Sequence, residues 1–343
     1  MKDKNPFVTV GVIARNEEKH IGETITNLTK IDYPNDSFEI ILVDGNSNDK
    51  TRDIVKDIAK KSKILIKVVN EKDFGFYGPC FARNLVVKNS SSKAKYVAFT
   101  DADCKVEKGW LKNLVEIMES KGKKKDIAGS GGPRLIYDDD PVIAKIINFY
   151  MSSFLGSGGS SAFSKKKIEF AESIANYNAI YKKEILIKIP YDDKLVLSDD
   201  NEVNYRIRKK GYKFLYNLDA KVWHHEDPSI WQFAINMKRY GDNISRPTLK
   251  HGKLIRWFSV IPSLFLIGLV FGGLLSLIFT PIRYVYLGVI GLYFILVLLN
   301  SILMIVSSRC LLGILGIILA PIQHICYGYG FILGLFKNKK LVK

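Results

Sequence analysis

The chain is poor in cysteine and has no zinc-finger spacing and no recognisable nucleic-acid motif, although its 343 residues carry a formal net charge of +17. Cys80, Cys104, Cys310 and Cys326 form no CxxC pair. That excludes a zinc ribbon or a disulfide framework and predicts reduced thiols facing a reducing compartment. Without RNP-like motifs or basic heptads, nucleic acid is not the expected anionic partner. Phosphorylated substrates and anionic membrane lipids remain to account for the basic balance. The stretch "MKDKNPFVTV" lacks an apolar h-region, so no signal peptide is expected and the first 250 residues are expected to stay cytoplasmic. Internal repeats are also missing. So is a glycine-rich basic phosphate loop near the N-terminus, since "IARNEEKH" is not one, and that argues against a nucleotidyltransferase.

Charge is what three long runs lack. "WFSVIPSLFLIGLVFGGLLSLIF" (257–279), "YVYLGVIGLYFILVLLNSILMIVSS" (284–308) and "CLLGILGIILAPIQHICYGYGFILGLF" (310–336) contain no Lys, Arg, Asp or Glu. Each is long enough to cross a hydrocarbon core of about 30 Å. They predict a multi-pass cell-membrane domain of two to three hydrophobic helices over 255–337, closed by a basic tail at 338–343. A catalytic domain over 1–250 would precede it, with an amphipathic membrane-proximal segment at 230–255. Three full spans would leave the lysine-rich tail opposite the catalytic half. Two spans, with a third segment that carries Pro321 and His324 and lies in the interface or re-enters, would keep the basic residues together.

The first 230 residues alternate between two periods. "FVTVGVIA" (7–14), "FEIILVD" (38–44), "ILIKVVN" (64–70) and "KYVAFTD" (95–101) are continuous apolar runs. Between them, Ile21, Ile25 and Leu28, then Ile54, Val55 and Ile58, recur at helical spacing, and Ser47 is an expected N-cap. Strand–helix alternation with buried strands predicts a Rossmann-like, mostly parallel α/β sheet covered on both faces. Ligands bind such sheets beyond the carboxyl ends of the strands, and there the sequence places Arg15, Asn16 and Glu17, then Asp44, then Asp101 and Asp103. Any one of these suits a turn or a cap. Together at one edge they suggest a site. Asp101 and Asp103 share a face of an extended segment, and their mutual repulsion is offset if Mg²⁺ or Mn²⁺ bridges them to a diphosphate.

"VTVGVIARNEE", "FEIILVDGNSNDKT", "ARN" (82–84), "YVAFTDADC" and "SDDNEVNYRIRKKGYK" follow one another in an order and spacing that resembles family 2 glycosyltransferases with a GT-A fold. The resemblance covers roughly residues 7–245 and is strongest to membrane-attached sugar transferases of the succinoglycan type (ExoA-like). It implies that Ile13, Ala14, Arg15, Glu17 and Asp44 hold the nucleoside of a nucleotide-sugar donor, that Arg83 reaches its phosphates, and that Asp101 lies near ribose and metal. Asp103 would be the direct metal ligand, with His225 a candidate beside it. The family's acidic pair falls on Asp199 and Asp200, the second acting as general base, and its arginine on Arg206, with Asp199, Arg206, Arg239 and Tyr240 on the acceptor and diphosphate side. An aspartate at 199 replaces the customary glutamate. "NMKRY" (236–240) keeps Arg239 but has Tyr240 where processive synthases have tryptophan, which points to transfer of one sugar per encounter. "GSGGPR" (129–134) and "GSGGSS" (156–161) are candidate sugar and acceptor loops.

The expected enzyme is an inverting, metal-dependent glycosyltransferase at the cytoplasmic membrane face that extends a lipid-linked saccharide or glycolipid. A polyprenyl-phosphate sugar synthase shares these motifs and differs in acceptor. A catalytically silent membrane scaffold is the rival from another class.

Overall fold

The computed structural model describes residues 5–75, 78–158, 169–193, 195, 199–253 and 257–337. Ser198, part of "GSGGSS" and the basic tail lie outside them. The chain separates into two compact units: Met1–Tyr137 with Ser164–His225, and Asp138–Phe163 with Glu226–Lys343.

In the first unit the apolar runs become β1 (Phe7–Ala14), β2 (Phe38–Asp44), β3 (Leu65–Asn70) and β4 (Ala94–Asp101). Shorter strands follow: β5 (Cys104–Val106), β6 (Ile127–Gly131), β7 (Arg134–Leu135), β8 (Phe170–Ala171), β9 (Ala179–Lys182), β10 (Lys213–Tyr216) and β11 (Val222–His224). The helices are α1 (Ile21–Leu28), α2 (Thr51–Lys61), α3 (Pro79–Asn89), α4 (Trp110–Ser120), α7 (Lys183–Lys188) and α8 (Asp199–Lys209), with α5 and α6 in the second unit. One sheet has the order β3-β2-β1-β4-β9-β6-β10-β8, and a small one has β5-β11-β7. β3, β2, β1 and β4 are mutually parallel, as the continuous apolar runs require. β9 runs antiparallel between β4 and β6, so the sheet is mixed beyond β4.

Both faces are covered. Val8, Val10, Val12, Ile21, Ile25, Leu28 and Trp110 belong to one buried cluster. Ile41, Val43, Val86, Phe99, Tyr181 and Phe214 belong to the other. Gly11 permits the close approach of α3, because a Cβ there would lie 2.6 Å from Val86 Cγ1. Of "GSGGPR", Gly129–Gly131 are strand residues of β6 and Arg134 opens β7, with Gly132 and Pro133 as the connection between them; a Cβ at Gly129 would lie 2.4 Å from the Ile180 carbonyl oxygen.

The second unit contains α5 (Val142–Met151), α6 (Phe154–Ser157), α9 (Ile230–His251), α10 (Ile261–Ile267), α11 (Gly273–Ile278), α12 (Thr280–Ser308) and α13 (Gly316–Lys337). Among the described residues, three helical stretches are long and apolar enough to cross a membrane: Phe258–Ile278, Thr280–Ser308 and Leu311–Lys337. Its core joins Ile147 and Tyr150 of α5 to Phe233 and Met237 of α9, Val297 and Met304 of α12, and Leu319 and Ala320 of α13.

Candidate active site

Two loops at the carboxyl edge are stitched together by side chains. Asn16 and Asn46 both adopt left-handed backbone, with φ of 58° and 61°, a conformation asparagine tolerates better than most residues. The Asn16 N–H donates to Ser47 Oγ (2.9 Å), the Asn48 N–H to Asn16 Oδ1 (2.9 Å), and the Glu17 N–H to Thr51 Oγ1 (2.8 Å). Ser47 therefore braces the loop rather than capping α2, which begins at Thr51. The register sets Ala14 level with Asp44, Asp44 level with Asn70, and Ile13 level with Asp101. Asp44 and Asp101 thus stand on the strands flanking β1, one residue apart in height.

Asp44 is fully buried. Its Oδ2 accepts the Ser47 N–H at 3.0 Å and lies 3.6 Å from Arg52 Nε, whereas Oδ1 is buried with no hydrogen-bond partner. Beside it stands Glu71, which the sequence reading missed. It is 2% exposed, accepts the Gly78 N–H at 3.2 Å, and is pushed up to about 7 by burial, with Asp44 adding to the rise. Its position directly after β3 was the available signal, because the third parallel strand ends at the same edge.

The acidic group at the end of β4 is held from two sides. Arg83 of α3, 5% exposed, approaches Asp101 at 3.4 Å. The neighbouring Asn84 clamps the segment before α8, donating to the Tyr191 carbonyl (2.8 Å) and accepting the Tyr191 N–H (3.0 Å). Burial raises the Asp101 carboxyl, Arg83 opposes the rise, and Asp103 adds to it. Glu17 is pushed up to about 7, by burial first and then by Asp103 and Asp101. Glu17 and Asp101 are both raised with Asp103 among the causes, so the three carboxyls stand where positive charge is in deficit.

His224 is the histidine at this group. β11 pairs antiparallel with β5, setting His224 opposite Cys104, and its Nε2 lies 3.7 Å from Asp103 Oδ1. The His224 Nδ1–H donates to the His225 carbonyl at 2.7 Å, so in the neutral ring the bare Nε2 faces the carboxylate. Two lone pairs facing each other suit a cation. The Cys104 thiol belongs to the same group, but burial pushes its pKa well up and keeps the sulfur protonated. The donors on offer are carboxylate oxygen and imidazole nitrogen, a set that fits Mn²⁺ or Mg²⁺ better than a thiolate-seeking metal. The adjacent His225 stacks its ring on Tyr137, with centroids 4.1 Å apart.

Asp200 lies in the first turn of α8, half-buried, and its charge is felt at Asp101. Asn204, one turn on, donates to Ser173 Oγ (2.8 Å) and the Ile174 carbonyl (2.7 Å) and accepts from Tyr181 OH (3.0 Å), fixing the helix that carries Asp200. Asp199 opens α8; its side chain is outside what is described. Arg206 is held by the buried Glu202 (2.7 Å) and the Pro190 carbonyl (2.6 Å), contacts that brace α8. Arg239 and Tyr240 are exposed on α9 in the second unit.

Parallel strands whose carboxyl edge gathers acids around a buried arginine, with a further acid on a helix beside them, define a sugar transferase of GT-A architecture that draws on a nucleotide donor. The chain belongs to glycosyltransferase family 2: residues 9–144 match Glycosyl transferase family 2 and residues 96–308 match Glycosyl transferase family group 2. It is 29% identical, over 98% of its length and 99% of the relative's, to a dolichyl N-acetyl-alpha-D-glucosaminyl phosphate 3-beta-D-2,3-diacetamido-2,3-dideoxy-beta-D-glucuronosyltransferase of Methanococcus voltae. It is 24% identical to glycosyltransferase AglE of Haloferax volcanii, over 65% of this chain and 68% of that one. Among solved structures, a mannosyltransferase from Pyrobaculum calidifontis in complex with GDP-Man and Mn²⁺ shares the fold, with a TM-score of 0.55 and 20% identity over 73% of this chain and 65% of that one. None of these three is a succinoglycan transferase.

Proposed function

We propose that the chain is an inverting, cation-dependent glycosyltransferase that adds one sugar to a lipid-linked saccharide at the cytoplasmic face of the membrane. The observation that carries this reading is the assembly of Glu17, Asp101, Asp103 and His224 at the strand ends, with Asp200 on α8 near enough to be felt at Asp101.

Each residue then has a task. The unpartnered Asp44 Oδ1 accepts an N–H of the base, with Ile13, Ala14, Arg15 and Glu71 around the nucleoside. Asp103, His224 and Asp101 would hold Mg²⁺ or Mn²⁺. When bound, that cation offsets charge on the departing diphosphate. Arg83 holds Asp101 in place and contributes positive charge on the phosphate side. Asp200 takes the proton of the attacking acceptor hydroxyl from the face opposite the leaving group, which inverts the anomeric centre and contributes typically about 10²–10⁴-fold. The acceptor class is supported by the Methanococcus voltae relative, whose name specifies a dolichyl-phosphate-linked amino sugar and which the chain matches almost end to end. A hydroxyl acceptor also gives Asp200 a proton to remove, which a lipid phosphate would not.

Membranes containing the full chain, incubated with labelled nucleotide-sugars, should transfer label to a polyprenyl-phosphate-linked sugar and not to bare polyprenyl phosphate. Transfer to the bare phosphate would make the enzyme a polyprenyl-phosphate sugar synthase. Absence of transfer across the donor panel, with Mn²⁺ supplied, would make it a scaffold.

A further inference from the structure

α9 and α13 are both 22-residue helices, and they pack in the same direction. Phe233 and Met237 share a cluster with Leu319 and Ala320, and Tyr327 and Phe331 meet Gly241. Further along, Gly334 faces Ser245 and Asp242. The approach is close because it is lined by glycine: a Cβ at Gly241 would lie 2.1 Å from the Tyr327 carbonyl oxygen, and one at Gly330 would lie 2.0 Å from that of Lys238. α9 carries Lys238, Arg239, Asp242, Arg246 and Lys250, and Asp242 pairs with Arg246 at 3.3 Å. A helix so charged is not a lipid span. A helix packed lengthwise and glycine-tight against it shares its environment.

Direction closes the other route. Among the described residues, 226–253 contain no candidate span, so α9 begins on the catalytic side. If α9 nevertheless crossed, α10–α11 and α12 would return the chain to the far side, and α13 would cross antiparallel to α9. It runs parallel. A third observation agrees: Gln323, midway along Leu311–Lys337, donates to the Gly156 carbonyl at 2.6 Å. The short α5–α6 segment is therefore seated at the middle of α13, and a connection between short helices is not expected at the centre of a bilayer.

We propose that α9 and α13 form one pair lying at the membrane interface against lipid headgroups, so that only α10–α11 and α12 cross the bilayer. The proposal rests on the membrane association argued above. The exposed side chains suit that partner. Trp231 of α9 is 76% exposed, Lys238 lies over the Tyr329 ring at 5.4 Å, and Leu311, Ile318, Ile325 and Phe336 continue the exposed set along α13 and the turn before it. Aromatic and basic groups beside aliphatic ones are the composition of an interface-seated surface. Among the described residues, Lys250, Lys253, Arg309 and Lys337 then fall on one side. The far loop contains only Arg283, whose guanidinium donates to the Ser276 carbonyl at 3.0 Å, against the end of α11.

The test uses the full chain in sealed membrane vesicles. Cys310 and Cys326 are replaced by serine, the buried Cys80 and Cys104 are kept, and one cysteine at a time is added to that background as Lys121→Cys, Pro281→Cys or Lys337→Cys, with the background itself as the blank. A membrane-impermeant maleimide is applied from each side in turn, with a detergent-permeabilised control confirming that each site reacts. The proposal expects Lys121→Cys and Lys337→Cys to label from one side and Pro281→Cys from the other. Labelling of Lys337→Cys with Pro281→Cys, opposite Lys121→Cys, restores a third span and overturns it. All three labelling from one side would remove the crossing helices as well, which is a failure of the membrane reading itself.

Discussion

Replacing Glu17 by glutamine should remove a specific pH dependence of nucleotide binding. The half-buried Glu17 carboxyl is pushed up to about 7, by burial first and then by Asp103 and Asp101. A cation arriving among these carboxylates favours the ionised form, so below pH 7 a proton must leave Glu17 before the ligand binds at full strength. Affinity therefore rises with pH through about 7 and levels off above it. For one group titrating at about 7, the loss is about elevenfold at about pH 6 and about 1.1-fold at about pH 8. The span is about tenfold, or about 1.4 kcal/mol. Titration calorimetry of a nucleoside diphosphate with Mn²⁺, on detergent-solubilised protein from about pH 6 to 8, measures this directly. Comparison with Glu17→Gln subtracts the ionisation of the phosphate and of the histidines. At pH 7 the wild type should also release about half a proton more than the variant, read from the dependence of the enthalpy on buffer. Equal pH slopes in the two proteins would refute the charge deficit assigned to this site.

His224→Gln should weaken Mn²⁺-dependent nucleotide binding by about 10–100-fold, while His225→Gln changes it by less than about threefold; the reverse order in a binding titration would return the role to His225. Asp200→Asn should leave donor binding within about twofold and lower transfer by about 10²–10⁴-fold, and equal loss of both would count against its role as base. Glu71 carries a carboxyl raised from its ordinary range to about 7, so the folded state binds its proton more tightly than the unfolded state does. Its contribution to stability therefore falls as pH rises from about 4.5 to about 7 and is level above. Glu71→Gln should remove that slope and raise stability near pH 8 by up to about 3 kcal/mol, read as a higher melting midpoint in detergent; an unchanged midpoint at both ends of the range would contradict it.

The half of the site built on parallel strands was legible in the sequence, because a buried strand that ends abruptly in a carboxylate announces both its length and its edge. Asp44, Asp101 and Asp103 came from that signal, and the strand ends fall within one residue of where the apolar runs stop. What the sequence obscured depends on pairing between distant segments. His224 and His225 are adjacent, and only the register of β11 against β5 decides which ring meets Asp103. Ser47 resembles a helix cap until its partner across the loop, the Asn16 N–H, is seen. The Glu202 carboxylate one helical turn before Arg206 pairs with it, a contact that the sequence pattern alone does not specify. Glu71 was hidden because β3 is the least buried of the four parallel strands, so its apolar pattern marks its end less sharply. The assignment of residues 138–163 to the second unit follows from apolar packing of α5 that no local pattern specifies.

The most direct test of the central claim is the thermal stability of the full chain with a nucleoside diphosphate, with and without Mn²⁺, in the wild type and in Asp103→Ala. The account predicts stabilisation of the wild type only when both ligands are present, amounting to about 2.7 kcal/mol at 100 times the dissociation constant, and none in Asp103→Ala. Equal stabilisation of the two proteins, or stabilisation of the wild type by nucleotide without Mn²⁺, would contradict it.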